Sequence, residues 1–229
     1  MTGLENVTLG GVRLAVSVSG TAGARPLVLL HGGGNDRTSW AGIGPAFAAT
    51  HRVYAPDLRG FGDSDRPGRY SFELMRDDVL GLLDAVGAEP VDLVGHSMGG
   101  TVAWLVAQAR PAAIAHLVVE DTPLPRPGDP PVPVPDRPEG ELPFDWAAVD
   151  AVMRQLNDPD PAWWRDIPTV TAPTLVLAGG PASHIDQAVL AEAAALLPDS
   201  RLVEIPVGHG IHADAPDAFL AQVRPFLAS

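Results

Sequence analysis

The chain has 229 residues, 46% of them hydrophobic and 19% charged, with no cysteine and a formal charge of −13. Those figures fit one globular domain with a small insertion and exclude a disordered chain, a disulfide scaffold, a thiolate metal site and a cysteine nucleophile. With 28 acidic against 15 basic residues and no basic cluster to neutralise phosphates, neither nucleic acid nor an anionic membrane is expected as a partner.

The first stretch, MTGLENVTLGGVRLAVSVSG, alternates apolar and polar residues and reads as a β-hairpin, not as a signal peptide. No apolar run approaches the ~20 residues that span a bilayer, so a cytoplasmic protein is expected. Short apolar runs follow: PLVLL (26–30), RVYAP (52–56), VDLVG (91–95), HLVVE (116–120), TLVLA (174–178) and RLVEI (201–205). Helix-period stretches lie between them at about 71–86, 98–109, 186–197 and 216–228, with Ser71 placed to start the first and Gly87 to stop it. Apolar runs without alternation, interleaved with helices, predict a doubly wound α/β fold around a mostly parallel sheet buried on both faces.

Residues 122–173 are too long for an ordinary strand-to-strand connection. Their first part, TPLPRPGDPPVPVPDRPEGELP, is proline-dominated and extended. The second has helical spacing at Trp146, Val149, Met153 and Leu156. The segment is either a long loop with one packed helix or a lid, and its place after a strand favours a lid, because ligands of open α/β sheets bind at the C-terminal strand edge. The expected organisation is a core in two parts, 1–121 and 174–229, with 122–173 as a cap.

The stretch VDLVGHSMGG (91–100) carries the chemistry. A buried strand that runs into Gly-His-Ser-Met-Gly and then a helix is the context of a nucleophile elbow, with Ser97 lifted on a sharp turn and Gly95 and Gly99 keeping that turn free of side chains. An oxyanion hole needs two donors. The amide of Met98 is one candidate, and Gly33 in HGGGNDRTSW (31–40) is the other. His31, at a strand end, is expected to brace that loop.

For a general base, His209 in VGHGIHADAPDAF (207–219) sits in a glycine-flanked loop after the last strand, which opens at the same sheet edge as the elbow. His212 is expected to pack or hydrogen-bond beside it. His51, His96, His116 and His184 have weaker claims.

Taken in order, HGGG (31–34), DLRGFGDSD (57–65), GHSMGG (95–100) and GHGIHADAP (208–216) resemble the α/β-hydrolase superfamily, in particular its esterase-like branch. The resemblance covers nearly the whole chain except the proline-rich segment. It implies that the charges of Asp57-Leu58-Arg59 are structural. It also implies a third catalytic member, an acid a few residues after TLVLA, but that slot holds Ala182 and Ser183. Asp186 lies close by, in the place of a helix start. A subset of the family carries the acid one strand earlier, which here is Asp121 at the end of HLVVED, with Glu120 as competitor. Asp121 is the preferred acid.

A serine at the elbow argues against the dehalogenase and epoxide-hydrolase chemistry for which family members use aspartate there. What the resemblance implies is a serine hydrolase of a small ester or thioester, working on a small acyl substrate as a monomer or homodimer, with no metal and no organic cofactor. Trp146, Trp163 and Trp164 either line the acyl pocket or form the core of the lid. Two other readings use the same fold: a carbon–carbon bond hydrolase or lyase, and a ligand receptor that binds without turnover.

Overall fold

A computed structural model describes residues 3–87 and 89–229; Met1 and Thr2, the first residues of the expected hairpin, lie outside the described part, as does Ala88. The hairpin is present as β1 (Gly3–Leu9) and β2 (Val12–Gly20), paired antiparallel. β3 (Arg25–Leu30), β4 (His51–Pro56), β5 (Val91–His96), β6 (Ile114–Glu120), β7 (Thr174–Ala178) and β8 (Ser200–Glu204) complete one eight-stranded sheet in the order β1-β2-β4-β3-β5-β6-β7-β8. From β4 to β8 every pairing is parallel.

The inner unalternated runs have the meaning read from them, whereas RLVEI forms the edge strand β8, whose residues are largely exposed. Along β3, Val28 and Leu30 enter one core while Leu27 and Leu29 enter the other; along β5, Leu93 and Val94 do the same. Strand geometry turns successive side chains to opposite faces, so a strand covered on both sides is apolar wherever a side chain has no buried partner. The polar Asp92 of β5 is buried between His51 and His116, which both bond it. On one face lie α1 (Phe72–Val86), α2 (Met98–Ala109) and α5 (Gln187–Leu196); on the other lie Trp40, Phe47 and α7 (Pro216–Leu227), which follows the single turn α6 (Ile211–Asp214). The start and stop of α1 are those expected. Ser71 caps it by accepting from the Leu74 amide at 3.1 Å, and Gly87 ends it at φ +68°, a conformation only glycine adopts without strain.

Residues 122–173 rise from the end of β6 and carry α3 (Trp146–Asn157) and α4 (Ala162–Arg165) before the chain returns into β7. The segment is tied to the core at several points. Phe144 pairs with Phe61 in an isolated bridge, and the Asp145 amide donates to the Gly60 carbonyl at 2.7 Å. Gln155 accepts from the first amide of α1, Phe72, at 2.9 Å and donates to Glu73 at 2.6 Å. The proline tract is pinned at Val132, whose amide and carbonyl both bond the Asn157 side chain. Among the described residues, no helix is long and apolar enough to cross a membrane.

Candidate active site

Ser97 stands between β5 and α2 with φ +52° and ψ −121°, a left-handed backbone that L-residues rarely adopt. The glycines around it answer a space requirement. A Cβ on Gly95 would overlap the Gly99 carbonyl oxygen, and a Cβ on Gly99 would lie 2.5 Å from the carbonyl oxygens of Leu30 and His31. The bend is held from beside as well, by the Ser97 amide donating to the Glu120 carbonyl at 2.9 Å. Gly95→Ala is therefore expected to destabilise the fold by about 1–3 kcal/mol, the usual cost of overpacking. A urea-denaturation midpoint equal to that of the parent would contradict this account.

Ser97, Met98, Gly33 and His209 line one cavity of about 620 Å³. Met98 opens α2, so its amide has no acceptor within the helix and remains available to a ligand. Gly33 lies directly across: a Cβ built on it would come within 3.9 Å of the Met98 side chain. The loop that carries Gly33 is braced by His31, which accepts from the Leu58 amide at 3.0 Å and bonds the Gly32 carbonyl at 2.9 Å. Asp57 is wholly buried and pairs with Arg37, while Arg59 pairs with Asp78 at 2.5 Å, so both charges hold the loop after β4.

His209 and Asp121 meet: Nδ1 of the imidazole is 2.7 Å from the carboxylate. Asp121 is fully buried at φ +42° on the end of β6, and it accepts from three further donors, the Gly179 amide, the Gln187 amide group and the Ser183 hydroxyl. Burial pushes its carboxyl pKa up, but the bonds from His209, Ser183, Gly179 and Gln187 outweigh burial and hold it below the ordinary carboxylate value. Nδ1 is thereby fixed as a donor, leaving Nε2 as the basic nitrogen.

The competing acids are engaged elsewhere. Glu120 accepts from the His212 amide at 2.8 Å and from His212 Nδ1 at 2.9 Å, and the His212 ring stacks on Trp40 at 4.2 Å. Asp186 caps α5 by accepting from Ala188 at 2.9 Å, although it also reaches the cavity.

The three tryptophans require a correction. The cavity wall contributed by residues 122–173 consists of Val149, Val152, Met153 and Leu156, together with residues of the proline tract, and none of the tryptophans is in it. Trp163 is buried with its indole N–H on Glu73 at 3.2 Å, Trp164 donates to the Leu124 and Pro125 carbonyls at 3.1 Å, and Trp146 leans toward Phe144. The acceptors of the Trp163 and Trp164 indole N–H groups lie in the insertion and its seam with the core.

Two histidines flank His209 that sequence reasoning ranked low. His184 packs its ring 4.2 Å from that of His209 at the cavity, and burial, followed by the nearby His209 charge, lowers its pKa. His96 lies beneath, with Nε2 donating to the His209 carbonyl at 2.9 Å and Nδ1 buried without a partner. His96, Glu120 and His212 present possible metal-ligand atoms within 4.8 Å of one another, yet Glu120 and His212 already bond each other and His96 bonds the His209 loop.

Burial holds the His96 pKa down at about 4. An unfolded chain takes up that proton near pH 6.5 and the folded protein only near 4, so stability is complete above 6.5 and is lost as the pH falls through this window. The loss from this residue is on the order of 3 kcal/mol. Urea midpoints at pH 7 and pH 4 are expected to show that drop, and His96→Gln to flatten it.

Comparison with known proteins gives a consistent picture. A family model described as "alpha/beta hydrolase fold" matches residues 25–147. A 2-hydroxymuconate semialdehyde hydrolase of Pseudomonas sp. strain CF600 is 39% identical over half of this chain, which spans 42% of that relative's length. The mouse sn-1-specific diacylglycerol lipase ABHD11 is 28% identical over 99% of this chain and 89% of its own. Among solved structures, the enol-lactonase of Burkholderia xenovorans LB400 superposes with a TM-score of 0.88 at 25% identity, covering 98% of this chain and 100% of that one.

Proposed function

Because this chain belongs to the α/β-hydrolase fold family, a family of hydrolases, we propose that it cleaves a small carboxylic ester or thioester through an acyl-enzyme on Ser97, beneath a cap formed by residues 122–173. The observation that carries the proposal is the 2.7 Å bond from His209 Nδ1 to Asp121 beside a cavity that Ser97 also lines.

In this reading Ser97 Oγ attacks the substrate carbonyl as His209 Nε2 takes its proton. Asp121 keeps the imidazole in the tautomer with Nε2 unprotonated and stabilises the imidazolium that forms. The amides of Gly33 and Met98 stabilise the oxyanion, an effect of roughly 3–4 kcal/mol per donor. The imidazolium returns its proton to the leaving alkoxide or thiolate as the carbon–oxygen or carbon–sulfur bond breaks. Water then loses a proton to His209 and adds to the acyl carbon, and Ser97 leaves as the free hydroxyl once reprotonated.

The relative named as a 2-hydroxymuconate semialdehyde hydrolase supports carbon–carbon cleavage as a second reading, with the same residues and a carbon leaving group. The test is labelling by a fluorophosphonate, which needs an activated serine and no knowledge of the substrate. One adduct on Ser97 is expected in the parent and none in Ser97→Ala. A folded parent that takes up no label would overturn both readings.

A further inference from the structure

The composition of the cavity goes further than the chemistry at its base. Val149, Val152, Met153 and Leu156 all reach it. At spacings of three, one and three residues they form one stripe of α3, a wall about 10 Å long at 1.5 Å rise per residue. Leu124 and Val189 add apolar surface from the proline tract and from α5. The lining has only two charged groups besides histidine, Asp129 and Asp186, both carboxylates. Among the described residues no arginine lines the cavity, and the chain contains no lysine. Arg126, next to Pro125, has its guanidinium 4.7 Å from the Trp164 ring and bonded to Glu192 at 2.8 Å.

A carboxylate brought into such a cavity would lose hydration, meet two like charges and find no cation, within a chain of net charge −13. An alkyl chain would instead lie along the α3 stripe and leave water. Resting on the hydrolase reading above, we infer that the substrate is an ester or thioester with an uncharged, extended aliphatic acyl chain, and that acyl chains bearing a carboxylate are rejected. The selecting elements are the stripe, which rewards chain length, and the pair Asp129 and Asp186, which repels anions.

The kinetic test uses p-nitrophenyl acetate, butyrate and hexanoate, with mono-p-nitrophenyl adipate as a six-carbon acyl chain ending in a carboxylate. From butyrate to hexanoate, kcat/KM is expected to rise about fourfold per methylene, the factor for burying one such group. The adipate half-ester is expected to fall at least ~10-fold below the hexanoate, and Met153→Arg, or Val189→Arg should the first unfold, to narrow that gap about tenfold.

A second arm needs no turnover: methyl hexanoate is expected to raise the melting temperature of Ser97→Ala, and monomethyl adipate not to. Equal handling of hexanoate and adipate, or a preference for acetate, with Ser97 still labelled by fluorophosphonate, would overturn this inference and leave the hydrolase reading standing. Loss of labelling would overturn the hydrolase reading, and the melting arm would then still decide the chain preference.

Discussion

Ser97→Ala is expected to lower kcat for p-nitrophenyl hexanoate by about 10⁶-fold, the loss seen when a nucleophile is removed from a serine–histidine–acid unit. Stability is expected to stay within about 0.5 kcal/mol of the parent. The two expectations belong together. The Ser97 hydroxyl makes no capping bond to α2, so its removal orphans no buried partner. The left-handed backbone is set by Gly95, Gly99 and the bond from residue 97 to Glu120, all of which an alanine leaves in place. The site would keep its shape and lose its reactive atom. Parallel measurements of kcat and of the urea midpoint check this, and a variant that retains turnover would remove Ser97 from the mechanism.

Asp121→Asn is expected to cost about 10⁴-fold in kcat with a small change in KM, the pattern of a triad carboxylate made neutral. The physical reason is specific to this environment. The carboxylate accepts from His209, Ser183, Gly179 and Gln187. An asparagine has one acceptor oxygen and must turn an N–H₂ toward some of these donors, so His209 would be driven into the tautomer with Nε2 protonated and unable to act as a base. Glu120→Gln provides the contrast. Its carboxylate faces His212 and not His209, and a glutamine keeps one acceptor oxygen there. The variant is therefore expected to lose about 1–3 kcal/mol of stability, the cost of leaving a buried polar group short of a partner, while its folded fraction still turns over. If Glu120→Gln gave the kinetic loss and Asp121→Asn the loss of stability, the assignment of the acid would be reversed.

Most of the fold was legible because burial on both sheet faces leaves a direct mark: runs such as PLVLL and TLVLA are almost wholly apolar and match β3 and β7 within one residue. The elbow and the histidine loop were legible because close backbone approach demands glycine, and glycine at fixed spacing is visible in one dimension. The tryptophans misled for the opposite reason. A large aromatic is as suited to the core of an insertion as to a pocket, and only the cavity lining, with the acceptors of Trp163 and Trp164, decides between them. The roles of Ser183 and Gln187 could not be read, because hydrogen bonds to Asp121 span 62 and 66 positions and leave no local pattern. The one available signal was the serine standing in the slot where the resemblance leads one to expect an acid.

The place of Asp121 on β6 has a consequence for how this protein can change over time. In the proposed mechanism nucleophile and acid hang from adjacent inner strands whose ends are joined by the amide of residue 97, and the loop after β7 serves the acid only through the uncharged donors Gly179 and Ser183. Positions 184 and 185 of that loop line the cavity, and position 182 lies two residues before them. They form a stretch where substitutions can redraw substrate preference while the reactive core persists, which makes this loop the natural place to begin directed evolution of a new selectivity.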